Sequence, residues 1–232
     1  MSKPVTIDIE TVGGSAEQLQ TYKSIKCAKC EHNPETHPKL KKDYCAECDA
    51  DAALRWHTSN TICITAKEIG KEPICFCDTD EVTVLEDAYA YLEKAAPRPY
   101  VGFNVKEFDI VHLKMRGLIH GIPFVNILPQ GKYDKNCVDL YEVLVEGKWN
   151  KQQSATLEMF AAMMGFKDLL YGHGSEVPKW FLTGQLDEIR KHNIGDVLAT
   201  ERLYMLYSNV GEEYRKRKAA RVVDDVDEVI DL

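Results

Sequence analysis

The sequence predicts an α/β fold, a mixed sheet flanked by helices, with a small four-cysteine insertion. Short alternating or continuous apolar stretches lie at 4–10, 61–67, 73–77 and 100–104. Between and after them, apolar residues recur at helical spacing. The order is three strands, a helix, a strand and then helices, and a cysteine-bearing stretch interrupts the first strand pair.

In 4–10, Val5, Ile7 and Ile9 alternate with Thr6, Asp8 and Glu10, as in a strand. The segments TICITAK (61–67) and PICFC (73–77) read as two more strands, joined by a turn containing Gly70. Over 81–94, Leu85, Ala88, Tyr89 and Leu92 fall at i, i+3, i+4 and i+7, giving a helix with one buried face. Pro97 and Pro99 end it. YVGFN (100–104) is a short strand, and the next helix starts near Glu107 with Phe108, Val111, His112 and Met115 on one face. Residues 120–137 read as loop. Ser154 is the expected cap of a helix carrying Leu157, Phe160, Ala161 and Met164 and stopped by Gly165. The last long helix spans 186–207. The predicted organisation is a domain over 1–210 interrupted by an insertion at 13–58, then a tail at 211–232 that runs from basic to acidic and reads as mobile or weakly helical.

A formal charge of −8 argues against a protein that coats duplex nucleic acid, which needs a basic face. It is compatible with an enzyme that grips a strand end through bound cations. No apolar run reaches the roughly 18 residues of a membrane span. The N-terminus lacks the apolar core of a signal peptide. The expectation is a cytoplasmic protein in a reducing compartment, whose cysteines bind metal rather than pair.

Three polar constellations stand out. Asp8 and Glu10, two apart on a strand, point to one face and repel unless a cation lies between them. The alternative is an edge strand with its polar face in water. Asp109 opens a helix just after a strand, where an aspartate also suits the helix dipole. His192 and Asp196, at i and i+4, share a helix face that could equally be a solvated polar pair.

In this order the three elements IDIET, GFNVKEFDIVHLKMR and HNIGDVLATERLY resemble the motifs of the DEDD superfamily of 3′-5′ exonucleases, which have a ribonuclease H-like fold. The branch most resembled is that of predicted exonucleases similar to the proofreading domain of family-B DNA polymerases. Its further features look like SATLEMFAAMMGFK, YGHGSEV and QLDEIRKHNIGDV here, and the resemblance covers roughly 4–11 and 59–207. One departure is that this branch carries tyrosine four residues before the last aspartate, where this chain has His192.

The resemblance implies phosphodiester hydrolysis at two Mg²⁺ or Mn²⁺ ions about 4 Å apart. Asp8 would bridge both ions, Glu10 and Asp196 would hold the one that activates water, and Asp109 the other. His192 would be the general base, imidazole being the side chain that changes protonation near neutral pH. Thr11, Phe103 and Asn104 would contact the terminal nucleotide, although Phe103 reads equally as a core aromatic and Asn104 as a strand-end turn. The substrate would be single-stranded DNA or frayed 3′ ends. An exoribonuclease of the same chemistry, or an inactive zinc-containing adaptor, are the alternatives.

Within the insertion, Cys27-x-x-Cys30 and Cys45-x-x-Cys48 are separated by 14 residues, a pattern that wraps one structural Zn²⁺. The segment is poor in apolar residues, so metal would supply the missing stability. Lys23, Lys26, Lys29, Lys39, Lys41 and Lys42 make it locally basic, for holding a substrate strand or as a plain surface knob. Cys63, Cys75, Cys77 and Cys137 read as small core residues. The tail DDVDEVIDL could dock a replication or repair protein, or simply solubilise the chain's end.

Overall fold

The computed structural model describes residues 3–19, 21, 52–95, 99–131, 133–145 and 155–230. Cys27, Cys30, Cys45 and Cys48, and with them the expected zinc module, lie outside these residues. So does Ser154.

The sheet is mixed and five-stranded, in the order β3-β2-β1-β4-β5. Its strands are β1 (Val5–Gly13), β2 (Ser59–Glu68), β3 (Ile74–Cys77), β4 (Tyr100–Gly102) and β5 (Cys137–Asp139). β1 is antiparallel to β2 and parallel to β4. It is the central strand, so Asp8 and Glu10 do not sit on a solvated edge. β5 begins at the end of the stretch read as loop, and its three residues complete the sheet by pairing with β4. The ends of the insertion meet, with the Gly14 N–H donating to the Thr58 carbonyl at 2.7 Å.

Helices cover both faces. On one, Val5, Ile7, Ile9, Ile64 and Ala66 pack against α1 (Glu81–Ala95) and α2 (Asp109–His120). The predicted α1 face is the observed one: Leu85, Ala88, Tyr89 and Leu92 are all buried. Burying Leu85 and Leu92 contributes roughly 1.5–3 kcal/mol each. α2 differs from expectation. It starts at Asp109 with Phe108 as its cap residue, and it turns Ile110, Leu113 and Arg116 inward while Val111 is exposed. Arg116 is buried because Glu81 of α1 meets it with both carboxylate oxygens, one of them 2.8 Å from Nε.

On the other face, Val12, Ile62, Cys63 and Cys77 pack against α5 (Val177–Leu182) and α6 (Leu186–Ile230). Val101 packs there with α3 (Leu140–Val145), α4 (Leu157–Met164) and α6. The α4 cap is Thr156, whose hydroxyl accepts from the Met159 N–H at 3.2 Å, and Gly165 closes the helix in the left-handed region at φ 79°. Ala161 is the buried residue of α4, whereas Met164, expected inside, is exposed. α6 runs past the expected end near residue 207 as one helix of 45 residues, taking in most of the tail. Among the described residues, no helix is long and apolar enough to cross a membrane.

Candidate active site

β1 carries Asp8 and Glu10 toward the α6 side of the sheet, opposite Ile7 and Ile9. The register slips beside them. Glu10 pairs with Cys63 but Thr11 with Thr61, so Ile62 is an extra residue in β2. Bulges of this kind re-aim side chains next to sites.

β4 is too short to pair all of β1, their ladder covering only Val5 and Thr6. Beyond it, the Ile9 N–H donates to Asp109 Oδ1 at 3.1 Å. The first carboxylate of α2 is thereby fastened to the strand between Asp8 and Glu10.

α6 supplies the remaining groups from little more than one turn. His192 Nε2 lies 3.5 Å from Glu10 Oε1 and 3.9 Å from Asp196 Oδ2. Its Nδ1 is 2.7 Å from the Tyr171 carbonyl oxygen. A carbonyl only accepts, so Nδ1 carries a proton, and the neutral form of the ring has its lone pair at Nε2, toward the acids. Asn193, fully buried, donates from Nδ2 to Asp8 Oδ2 at 2.6 Å and to Glu10 Oε1 at 3.4 Å. α6 approaches the 167–171 segment closely because residue 195 is glycine: a Cβ there would stand 2.7 Å from the Leu169 carbonyl oxygen.

Burial dominates the electrostatics. It raises the Asp8 carboxyl well above the usual carboxylate range, helped by the charges of Asp109, Asp196 and Glu10 and opposed by the Asn193 hydrogen bond. Glu10 is raised well above its usual range, first by burial and next by Asp196. Burial pushes Asp109 up to about 8 against the backbone N–H groups that favour its charge. Asp196 is also raised by burial, with His192 and His173 opposing. Four acids all raised by burial form a cluster that bound cations would relieve. Their oxygens are the hard donors that Mg²⁺ and Mn²⁺ take.

The cluster opens into a cavity of about 500 Å³ lined by Asp8, Glu10, Asp109, His192 and Asp196 on one side. Phe103, Asn104, Phe108, Thr156, Leu157, Lys167 and His173 also line it. Phe103 and Asn104 are thus brought to the cluster. Thr11 is not among the lining residues. It is buried in β1, and its hydroxyl donates to the Ala53 carbonyl. Asn104 has φ 60°, an uncommon conformation for a non-glycine residue. It is held there by Asp139 at the end of β5, whose carboxylate accepts from the N–H groups of Asn104 at 2.9 Å and Lys106 at 3.0 Å. Sequence reasoning missed Asn193, Gly195 and Asp139. The signal for the first two was their place inside the HNIGD run; Asp139 carried none.

The model of the family described as "Predicted 3'-5' exonuclease related to the exonuclease domain of PolB" matches residues 61–232. Among solved structures, the chain is similar to the family B DNA polymerase from the hyperthermophilic archaeon Pyrobaculum calidifontis. The TM-score is 0.60 and the identity 16%, over 90% of this chain and 25% of that one. The chain spans about a quarter of that polymerase's length, and at this identity the likeness concerns the fold. A comparison with curated protein sequences found no match. Asp8 and Glu10 precede the residues matched by the family model; the pairing of β1 with β2 and β4 brings them beside Asp109 and Asp196.

Proposed function

We propose, from the premise that the chain belongs to the family of predicted 3′-5′ exonucleases related to the exonuclease domain of PolB, that it removes nucleotides from the 3′ ends of single-stranded or frayed DNA. The observation that carries this reading is the convergence of Asp8, Glu10, Asp109 and Asp196 from β1, α2 and α6 on one cavity. These four carboxylates would hold two Mg²⁺ or Mn²⁺ ions. Divalent ions, when bound, supply a deprotonated water and neutralise charge on the leaving 3′-oxygen.

The chain's own residues do the rest. His192 takes the proton of the attacking water at Nε2, and the Tyr171 carbonyl, by accepting from Nδ1, fixes the tautomer and aims the ring. Asn193 holds the carboxylates of Asp8 and Glu10 in place. Phe103 and Asn104 receive the terminal nucleotide, for which about 500 Å³ is room enough. A net charge of −8 suits a short grip on a strand end better than a long track along phosphates. Cys27, Cys30, Cys45 and Cys48 would bind one structural Zn²⁺ in the insertion at 13–58.

The test is gel-resolved digestion of 3′- and 5′-labelled DNA and RNA, single- and double-stranded, with Mg²⁺ and with Mn²⁺. A 5′-labelled DNA strand should shorten into a ladder, and Asp8→Ala or Asp196→Ala should abolish it. Intact strands at full metal occupancy would overturn the reading. RNA shortened while DNA survives would replace it with a ribonuclease.

A further inference from the structure

We propose that Glu10, His192 and Asp196 form a triad of one nitrogen and two oxygen donors that takes borderline transition cations, Zn²⁺ above all. Occupying it would inhibit the hydrolysis that Mg²⁺ supports, because the ion engages the nitrogen that otherwise serves as base. The inhibitory half rests on the exonuclease reading, whereas the binding half rests on geometry alone.

The donor atoms of the three residues all lie within 4.8 Å of one another. Two ligands each about 2.0–2.2 Å from a Zn²⁺ ion and at a tetrahedral angle stand roughly 3.3–3.6 Å apart. His192 Nε2 is already 3.5 Å from Glu10 Oε1 and 3.9 Å from Asp196 Oδ2. The site therefore needs side-chain adjustments of tenths of an ångström, with no backbone movement. Octahedral Mg²⁺ asks for neighbouring ligands only about 3 Å apart, prefers oxygen and keeps several waters. It has little use for the imidazole and leaves it free.

The second observation is the histidine itself. Its side chain is 7% exposed, and in the neutral ring the Nε2 lone pair points at two carboxylates. That arrangement is repulsive unless a cation or a proton lies between. The Tyr171 carbonyl accepting from Nδ1 at 2.7 Å is the second partner that metal-binding histidines ordinarily have. The ring is further held by the edge of Trp180, with centroids 6.0 Å apart. A nitrogen donor beside two oxygens raises affinity along the transition series and separates Zn²⁺ from Mg²⁺ more than any all-oxygen set would.

The test uses the full chain, first saturated with one equivalent of Zn²⁺ so that the four insertion cysteines do not compete. Zn²⁺ and Mg²⁺ are then titrated separately by calorimetry into the wild type, His192→Gln and Glu10→Gln. The wild type should bind further Zn²⁺ far more tightly than Mg²⁺. His192→Gln should weaken Zn²⁺ by at least about 10–100-fold and leave Mg²⁺ nearly unchanged. Glu10→Gln should weaken both. In the digestion assay, Zn²⁺ should inhibit the Mg²⁺-supported wild type over the concentration range of its calorimetric binding. If folded His192→Gln, checked by circular dichroism, weakens both ions equally or neither, the triad is wrong and His192 is only a base or a proton-bridged partner of Glu10. Calorimetry needs no substrate. Absent digestion with the Zn²⁺ difference intact overturns the exonuclease reading and the inhibitory half, leaving the triad. Digestion with no such difference overturns the triad alone.

Discussion

Without Mg²⁺ or Mn²⁺, the protein should lose stability as the pH rises, and Asp109 is where this is measured most directly. The residue is 3% exposed, and burial lifts its carboxyl to about 8 in the folded protein. In the unfolded chain an aspartate ionises near 4. Between those values the folded form keeps a proton that the unfolded form has released. Stability is therefore full below about 4, falls by roughly 1.4 kcal/mol per pH unit, and levels off above about 8. The window sets a ceiling of about 5.5 kcal/mol. Asp109→Asn keeps an Oδ1 acceptor for the Ile9 N–H and removes the charge. At pH 8 in Mg²⁺- and Mn²⁺-free buffer, Asp109→Asn should melt above the wild type, each kcal/mol being worth about 2–4 °C in a chain of this size. The gap should close as the pH falls toward 5. Mg²⁺ should raise the wild-type Tm at pH 8 more than at pH 5. Thermal melts of both proteins at several pH values are the assay. A variant that melts at or below the wild type at pH 8, or a gap independent of pH, would refute the reasoning.

Other substitutions probe other parts. His192→Ala should lower the single-turnover rate by about 10²–10⁴, and an unchanged rate would remove His192 from the base role. Gly195→Ala drives a Cβ to 2.7 Å from the Leu169 carbonyl oxygen, so α6 must move off the segment that presents the Tyr171 carbonyl. Denaturant melts should show a loss of about 1–3 kcal/mol, and the digestion rate should fall with it. Arg116→Met leaves Glu81 buried without its guanidinium and should cost about 3–5 kcal/mol in denaturant melts; adding Glu81→Met should recover only part of it, because the buried Thr61 N–H that donates to Glu81 at 2.6 Å is then left unpaired.

The sequence was legible where a pattern was both long and self-consistent. α1 could be read because four apolar residues fall on one face and nothing on its other faces competes. α2 could not be oriented, because Phe108, Val111, His112 and Met115 suit a buried face as well as Ile110 and Leu113 do. What decides between them is Arg116, which is buried by a partner 35 residues away. β5 escaped because three residues show no period, yet without it Asp139 would not hold the backbone at Asn104. The α4 cap was misplaced by two residues because Ser154 and Thr156 offer the same chemistry and only packing selects between them.

The site shows the same division more sharply. Asp8 and Glu10 were conspicuous because charge in an apolar strand is costly and asks for a reason. Asn193 asks for none: an amide in a polar helical run reads as surface, and its bond to Asp8 spans 185 residues. Yet the two belong together. α6 delivers the imidazole at 192, the amide at 193 and the carboxylate at 196, and Asp8 and Glu10 on β1 meet all three only if the helix lies close. Gly195 permits the closeness on the side of the 167–171 segment. The acids therefore determine which chemistry the site can perform. Their separations depend on how one turn of α6 seats against β1, so displacing that helix should weaken every role of the cluster at once, whereas replacing His192 alone should not.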